Sequence, residues 1–462
     1  MRMKLNKRES ASFRDPSGFL YWQEGELYRQ VNQKYQGDYE MLMESGLYQN
    51  LVDADLLIPH QEVEVEPYDA ENAYRIIRPE RVAFISYPYE WSFGQIKAAA
   101  LLTLAIQQRA MAHGMSLKDS SAYNVQFWRG RPVLIDTLSF ERYEEGLPWV
   151  AYRQFCQHFL APLALMSYRD VRLNQLLRIY IDGIPLDLAS RLLPPRTHFN
   201  FPLLSHIHIH AAAQQRYAGQ KLELDHPRRE VSKAGILGIL SSLEAAIQKL
   251  AWQPAGTAWA DYGVTHNYSE SSLAHKKKIV DSFLDRIAPK NVWDMGANTG
   301  FFSRLSSQRG IPTLAWDIDP GAVELNYQQC IAEKDENLLP LILDLTNPSP
   351  NLGWHNHERL CIQERGSAEM VLALALVHHL AIANNIPLDQ MARFFADLGN
   401  WLVIEFVPKH DPQTQKLLAV REDIFIEYTQ SDFENAFSAY YKIQEVEQIF
   451  DSGRMMYLMQ RK

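Results

Sequence analysis

Short apolar runs separated by helical or polar stretches organise the second half of the chain. Val292-Trp293-Asp294-Met295 and Thr313-Leu314-Ala315-Trp316-Asp317 read as strands, each closing on or beside an acid. Leu341-Ile342-Leu343-Asp344-Leu345 reads as a third short strand. Residues 370–376 are apolar without a break, as a parallel strand buried on both faces requires. A fifth strand spans 401–407 and is closed by Pro408. Ahead of it, Leu388, Met391, Phe394, Phe395 and Leu398 recur on one face of a helix over 388–398. The tail, 454–461, predicts a last strand at the sheet edge. Strands alternating with helices predict an α/β domain over 257–462.

The first half patterns differently. Residues 13–32 predict a hairpin turning at Gln23-Glu24-Gly25. A helix follows over 38–45, then an alternating strand over 62–66 and another strand over 81–87. Residues 95–113, rich in alanine and leucine, predict a strong helix. After it come 117–127, a turn at Arg129-Gly130-Arg131-Pro132, and the apolar segment Val133-Leu134-Ile135 ending in Asp136. This is an α+β arrangement over 13–205. Residues 206–256 read as a helical connector, whose stretch 235–250 has apolar positions at helical spacing. His206, His208 and His210 alternate with isoleucine there. On a strand they would share a face open to metal, yet no carboxylate or cysteine lies near in sequence, so hydrogen-bonded or solvated histidines are the expectation and no metal site is assigned.

The chemistry concentrates at the first strand of the second half. Asp294-Met295-Gly296-Ala297-Asn298-Thr299-Gly300 is a strand end, a small-residue turn and a helix start, and the next strand again ends in an acid, Asp317. Such a layout builds a nucleoside site at the switch point of an α/β sheet. Glycine lets backbone approach a ligand closely, and a carboxylate accepts hydrogen bonds from both ribose hydroxyls. A dinucleotide site wants G-x-G-x-x-G; here Asn298 and Phe301 stand at the second and third glycine positions. The remaining D-x-G-x-N-x-G resembles motif I of class I S-adenosylmethionine-dependent methyltransferases. That resemblance implies a Rossmann-like, seven-stranded, mostly parallel sheet with S-adenosylmethionine as cofactor. It implies that Asp317 holds the ribose and that Asp294 orders the turn and reaches the cofactor amine. Gly296 and Gly300 would clear space, Asn298 would add a hydrogen bond, and Asp344 with the Leu345 amide would fix the adenine. The end of the fourth strand lies beside the methyl group in that fold. His378 and His379 are therefore candidates for a general base, with Glu405 a further acid on the substrate side. Trp259, Tyr262, His266, Asn267 and Tyr268 are placed to cover the cofactor.

More locally, Leu372-Ala373-Leu374-Ala375-Leu376-Val377-His378-His379-Leu380-Ala381, Ile404-Glu405-Phe406-Val407-Pro408 and Arg421-Glu422-Asp423-Ile424-Phe425 resemble bacterial methyltransferases related to the nodulation protein NoeA. That implies a small-molecule or glycan acceptor, such as a saccharide or glycolipid hydroxyl. No N/D-P-P-Y/F tetrapeptide follows the fourth strand, which argues against amino-group methylation by that arrangement.

In the first half, Asp119 and Asn124, a hairpin, and Asp136 resemble the catalytic loop of the protein-kinase and aminoglycoside-phosphotransferase fold. Asp119 stands at the position of the base, and Asn124 and Asp136 at the metal-binding positions of a Mg-ATP site. Leu117 replaces the loop histidine, Thr137 and Leu138 replace the usual phenylalanine and glycine, and Arg29 is the nearest cation to the small-lobe lysine position. Three readings follow: a methyltransferase with a kinase-like domain, a bifunctional kinase–methyltransferase, or a scaffold retaining both folds without catalysis.

Composition narrows the setting. At 462 residues with net charge −9, the chain lacks the basic balance of a general nucleic-acid binder. The run His275-Lys276-Lys277-Lys278 reads as a solvated helix face. Cys156, Cys330 and Cys361 are far apart, without a C-x-x-C pair, as in a reduced cytoplasmic protein. The basic start, Met1 to Arg8, has no apolar core of a secretory signal, and no apolar run is long enough to span a membrane. Nothing in the pattern specifies an oligomeric state.

Overall fold

The computed structural model describes residues 7–217, 230–254 and 269–462. They form two units: Met1–Trp252 with Asn351–Arg359, and Gln253–Pro350 with Leu360–Lys462. The five residues expected to cover the cofactor, Trp259 to Tyr268, lie outside the described residues.

The first unit begins with strands β1 (Lys7–Arg8), β2 (Gly18–Gln23), β3 (Glu26–Asn32), β4 (His60–Glu62) and β5 (Ala73–Pro79), in the antiparallel order β1-β2-β3-β5-β4. The expected β2–β3 hairpin turns on Glu24 and Gly25, both at positive φ. Two strand expectations are corrected. Only the start of 62–66 pairs, because Val63 and Val65 turn onto the Phe19–Tyr21–Ile76 cluster. Residues 81–87 form no strand: the Gln126 side chain bonds both the N–H and the carbonyl of Ser86, taking the place of a neighbouring strand. β3 pairs with β5 (Ala73–Pro79).

The long helix Phe93–Ala112 starts on a capping box between Ser92 and Gln95. Behind it, β6 (Met115–Leu117) pairs with β9 (Phe140–Arg142), and β7 (Val125–Trp128) with β8 (Arg131–Leu134). The stretch read as a connector is part of this unit up to Trp252. Its helix Lys233–Lys249 packs on Phe93–Ala112, where Lys97 Nζ bonds the carbonyls of Gln248 and Leu250 and Gln108 bonds Glu244. The histidine triplet lies in helix, not strand. His206 bonds Tyr152 and Ser242, and His208 bonds Ser190 and Thr197. Their ring nitrogens are thus engaged by hydroxyls. Among the described residues no group of three or more His, Cys, Asp or Glu is placed to hold a metal ion.

The second unit is built on a seven-stranded sheet of β10 (Val292–Met295), β11 (Thr313–Asp317), β12 (Leu338–Ile342), β13 (Ala368–Ala373), β14 (Gly399–Phe406), β15 (Tyr441–Gln448) and β16 (Met455–Arg461). The order is β12-β11-β10-β13-β14-β16-β15, parallel through β14, with β16 antiparallel to both neighbours. This is the Rossmann-like arrangement expected of the class I methyltransferase fold. One detail is corrected: the tail strand β16 lies inside the sheet, and β15 is the edge. Met456, Tyr457, Leu458 and Met459 are all buried, as an interior strand requires, whereas β15 alternates buried or half-buried with exposed positions. Helix Leu388–Leu398 forms over the expected residues. Helix Glu270–Ile287 covers the β10 side through Ile279, Val280, Phe283 and Leu284, which join the core with Val292 and Met370. No described helix is long and apolar enough to cross a membrane.

Candidate active site

Strand β10 delivers Asp294 to the carboxyl end of the sheet, and the chain then turns sharply. Gly296 makes the turn at φ +79°, and a Cβ on it would meet the Leu376 side chain at 3.3 Å. Asn298 follows at φ +50°, a region that asparagine tolerates better than most residues. Its Oδ1 accepts the Thr299 N–H at 2.8 Å, and its own N–H donates to Asp317 Oδ2 at 2.7 Å. Asp317 Oδ1 accepts the Asp319 N–H at 2.9 Å. Backbone donors, the Ile318 N–H among them, therefore orient the carboxylate, whose roughly four acceptor sites keep room for a ligand. Asp294 accepts the Ser303 hydroxyl at 2.6 Å. Asp344 accepts the N–H and hydroxyl of Thr346, which fixes it at the mouth of the next loop.

These groups face one cavity of about 560 Å³, a size suited to a small-molecule ligand. Asp294, Gly296, Asn298, Asp317, Asp344, Leu345 and His379 all line it. Burial pushes the carboxyls of Asp294 and Asp317 up to about 6, against the bonds that Ser303, Asn298 and Asp319 make to them. Burial, with the Arg454 charge, pulls the His379 imidazole down to about 4, so it is neutral at physiological pH.

Three expected residues lie elsewhere. Gly300 does not line the cavity; a Cβ there would sit 2.5 Å from the Asn326 amide and 2.7 Å from the Arg304 guanidinium, so this glycine makes room for packing. His378 is turned into the protein, 1% exposed, and neither ring nitrogen has a hydrogen-bond partner. Glu405 is wholly buried behind the wall. Its oxygens lie 2.6 Å from Lys276 Nζ and 3.2 Å from an Arg454 nitrogen, and it accepts the Ala375 N–H at 2.9 Å.

Lys276 is the residue the sequence reading missed. It lines the cavity and is 2% exposed, while Lys277 and Lys278 beside it are exposed as expected. The signal was the helical register: Ser272, Lys276, Ile279, Val280 and Phe283 fall on the buried face of Glu270–Ile287. Phe301, which breaks the dinucleotide fingerprint, also lines the cavity and stays half exposed, out of the helix–strand packing.

The first unit brings Asp119, Asn124 and Asp136 together. Asn124 and Gln154 hydrogen-bond Asp119, and Asp136 raises its pKa further, after burial. Asp136 is held by Arg29 at 2.6 Å, by the Ser139 hydroxyl at 2.6 Å and by the Leu138 N–H at 3.0 Å. Burial works to raise the Asp136 pKa, but Arg29 and these two donors keep it below the ordinary carboxylate value.

No protein-family model matches the chain. The nodulation protein NoeA of Rhizobium meliloti (strain 1021) is 34% identical over 460 residues, covering 98% of this chain and 96% of that protein. The chain belongs to the NoeA family. Among solved structures, the NoeA-type chain is similar to the magnesium protoporphyrin IX methyltransferase of Synechocystis with bound S-adenosylhomocysteine. That match has 16% identity and a TM-score of 0.31, covering 43% of this chain and 90% of that one. It is also similar to the bifunctional kinase-methyltransferase WbdD, at 18% identity and a TM-score of 0.29, covering 45% of this chain and 43% of that one.

Proposed function

We propose that this NoeA-family chain is a class I S-adenosylmethionine-dependent methyltransferase. The observation that carries the reading is the convergence of Asp294, Asp317 and Asp344 on one cavity around the tight turn at Gly296. Asp317 would receive the ribose hydroxyls, and Asp344 with the Leu345 amide would hold the adenine. Asp294 meets the amine. The cavity fits the group, because the close Gly296 turn and three acids suit a ligand with no phosphate and a net positive end. When bound, the cofactor supplies an electrophilic methyl group on a sulfonium. The residues do the rest by positioning the acceptor, excluding water and taking a proton.

His379 is the base in this reading. It lines the cavity and is neutral at pH 7, so its imidazole can accept a hydroxyl proton. His378 and Glu405, behind the wall, support the site without meeting the acceptor. The resemblance favours a saccharide or glycolipid hydroxyl as acceptor, met in the cytoplasm, and His379 would take its proton. Titration calorimetry with S-adenosylhomocysteine tests the cofactor; no heat of binding sinks it and leaves the scaffold reading. Incubation of labelled cofactor with fractionated bacterial glycans tests the acceptor.

The first unit is read as a kinase-like domain, from its five-stranded sheet, its paired hairpins and the meeting of Asp119, Asn124 and Asp136. Mg-ATP there would have to compete with an ion pair. The Asp136 carboxylate that a metal would need is already engaged by the Arg29 guanidinium. That pair counts against the kinase half of the bifunctional reading.

A further inference from the structure

Lys276 is placed oddly for a lysine: on the buried face of a helix, with its ammonium in the wall of the cofactor cavity. It is the one lysine or arginine among the described residues that line this cavity. Phe302 packs beneath it, with Nζ 4.6 Å from the ring centre, and Glu405 Oε2 lies 2.6 Å away. Glu405 does not depend on it alone. It also faces Arg454, which reaches Asp411 at 2.7 Å, and it accepts the Ala375 N–H. Asp294, on the same wall, is near enough to act on the Lys276 charge.

We propose that Lys276 receives the carboxylate of the cofactor's amino-acid part, with Glu405 as the counter-ion it keeps when that carboxylate is absent. The proposal rests on the S-adenosylmethionine reading and adds a residue and a selectivity to it. A zwitterionic end, ammonium beside carboxylate, finds an anion at Asp294 and a cation at Lys276 next to each other. The other charged groups in the described wall, Asp317 and Asp344, are acids and would repel a carboxylate. An ammonium has three N–H donors, so Lys276 can serve a second carboxylate while still bonded to Glu405. Glu405 in turn holds Ala375, which is at φ +51° on the turn leading to His379. The amino-acid end of the cofactor is thus linked through two side chains to the turn that carries the proposed base.

Two ligands separate this from a structural role. S-adenosylhomocysteine carries the amino-acid end; 5′-methylthioadenosine has the same nucleoside and thioether without it. Both are titrated by calorimetry into wild type and into Lys276→Met/Glu405→Gln, which removes the ion pair as a unit and leaves Arg454 on Asp411. Wild type should prefer S-adenosylhomocysteine. The double variant should bind it about tenfold or more weakly and bind methylthioadenosine unchanged within about twofold, since a charge-assisted bond is lost from one ligand only. Equal losses for both ligands, or no loss for S-adenosylhomocysteine, overturn the proposal. Wild type that binds methylthioadenosine as tightly as S-adenosylhomocysteine also overturns it while sparing the cofactor site; wild type that binds neither overturns both readings. Should the double variant not fold, Lys276→Gln is judged by the same difference between the two ligands.

Discussion

The Asn298 backbone N–H points at Asp317 Oδ2 from 2.7 Å, so the turn after the first strand of the second unit and the acid at the end of the next strand fix one another. The bond explains why a non-glycine at the middle of the motif is tolerated. Asparagine accepts the left-handed backbone that aims this N–H, and its side chain caps the next residue.

Asp317→Ala removes both the proposed ribose acceptor and the partner of that N–H. Affinity for S-adenosylhomocysteine should fall by ~1.5–3 kcal/mol, the worth of hydrogen bonds to a charged group. Calorimetry on the variant checks this, and unchanged affinity would remove Asp317 from the site.

The pH dependence of binding follows from the same carboxyls. Burial sets Asp294 and Asp317 at about 6, above the ordinary 3.8. Between those values the folded state holds protons that the unfolded state has released. These two groups therefore cost stability as pH rises from about 4 to about 6, and relieve that cost as it falls. Binding runs the other way, because ribose hydroxyls and an ammonium need ionised acceptors. Affinity for S-adenosylhomocysteine should be flat above pH 7 and fall by about tenfold per acid between pH 7 and 5. Asp317→Asn should be weaker throughout and lose part of that slope. An isotherm series across pH reads it directly.

The adjacent histidines should separate cleanly. His379→Gln removes the proposed base on the cavity wall and should lower turnover by about a hundredfold or more while leaving S-adenosylhomocysteine affinity near wild type. His378→Leu replaces two buried, unpartnered ring nitrogens with an apolar group and should raise unfolding stability by ~1 kcal/mol. Turnover with an identified acceptor and urea melts distinguish the two; a turnover collapse in His378→Leu with His379→Gln unaffected would reverse the assignment.

The sheet and the acids that line the cavity were legible because both are written locally. A parallel strand buried on two faces must be apolar throughout, and an acid at its carboxyl end has few uses besides a ligand. What sequence did not disclose depends on distant partners. Glu405 reads as a site acid until Lys276 and Arg454, 129 and 49 residues away in the chain, are seen to enclose it. Gly300 reads as a cofactor glycine until Asn326 is seen against it. The tail reads as an edge strand by its position, although its unbroken buried run, Met456 to Met459, already argued for an interior one. The lysine run misled because composition was weighed before helical register.

The Arg29–Asp136 pair decides how the first unit behaves. Both groups are largely buried, with side chains 9% and 13% exposed, and they meet at 2.6 Å. Removing one partner strands the other charge in a poorly solvated place. Asp136→Ala should therefore destabilise the unit by ~3 kcal/mol, lowering its urea midpoint, where loss of a metal ligand alone would leave stability intact. Arg29→Met/Asp136→Leu, which removes both charges, should recover most of that loss. Wild type should show no Mg²⁺-dependent ATP hydrolysis, since the guanidinium holds the carboxylate that the metal requires. Hydrolysis that disappears in Asp136→Ala would instead mean that Arg29 yields to the metal, and would restore the kinase half of the bifunctional reading.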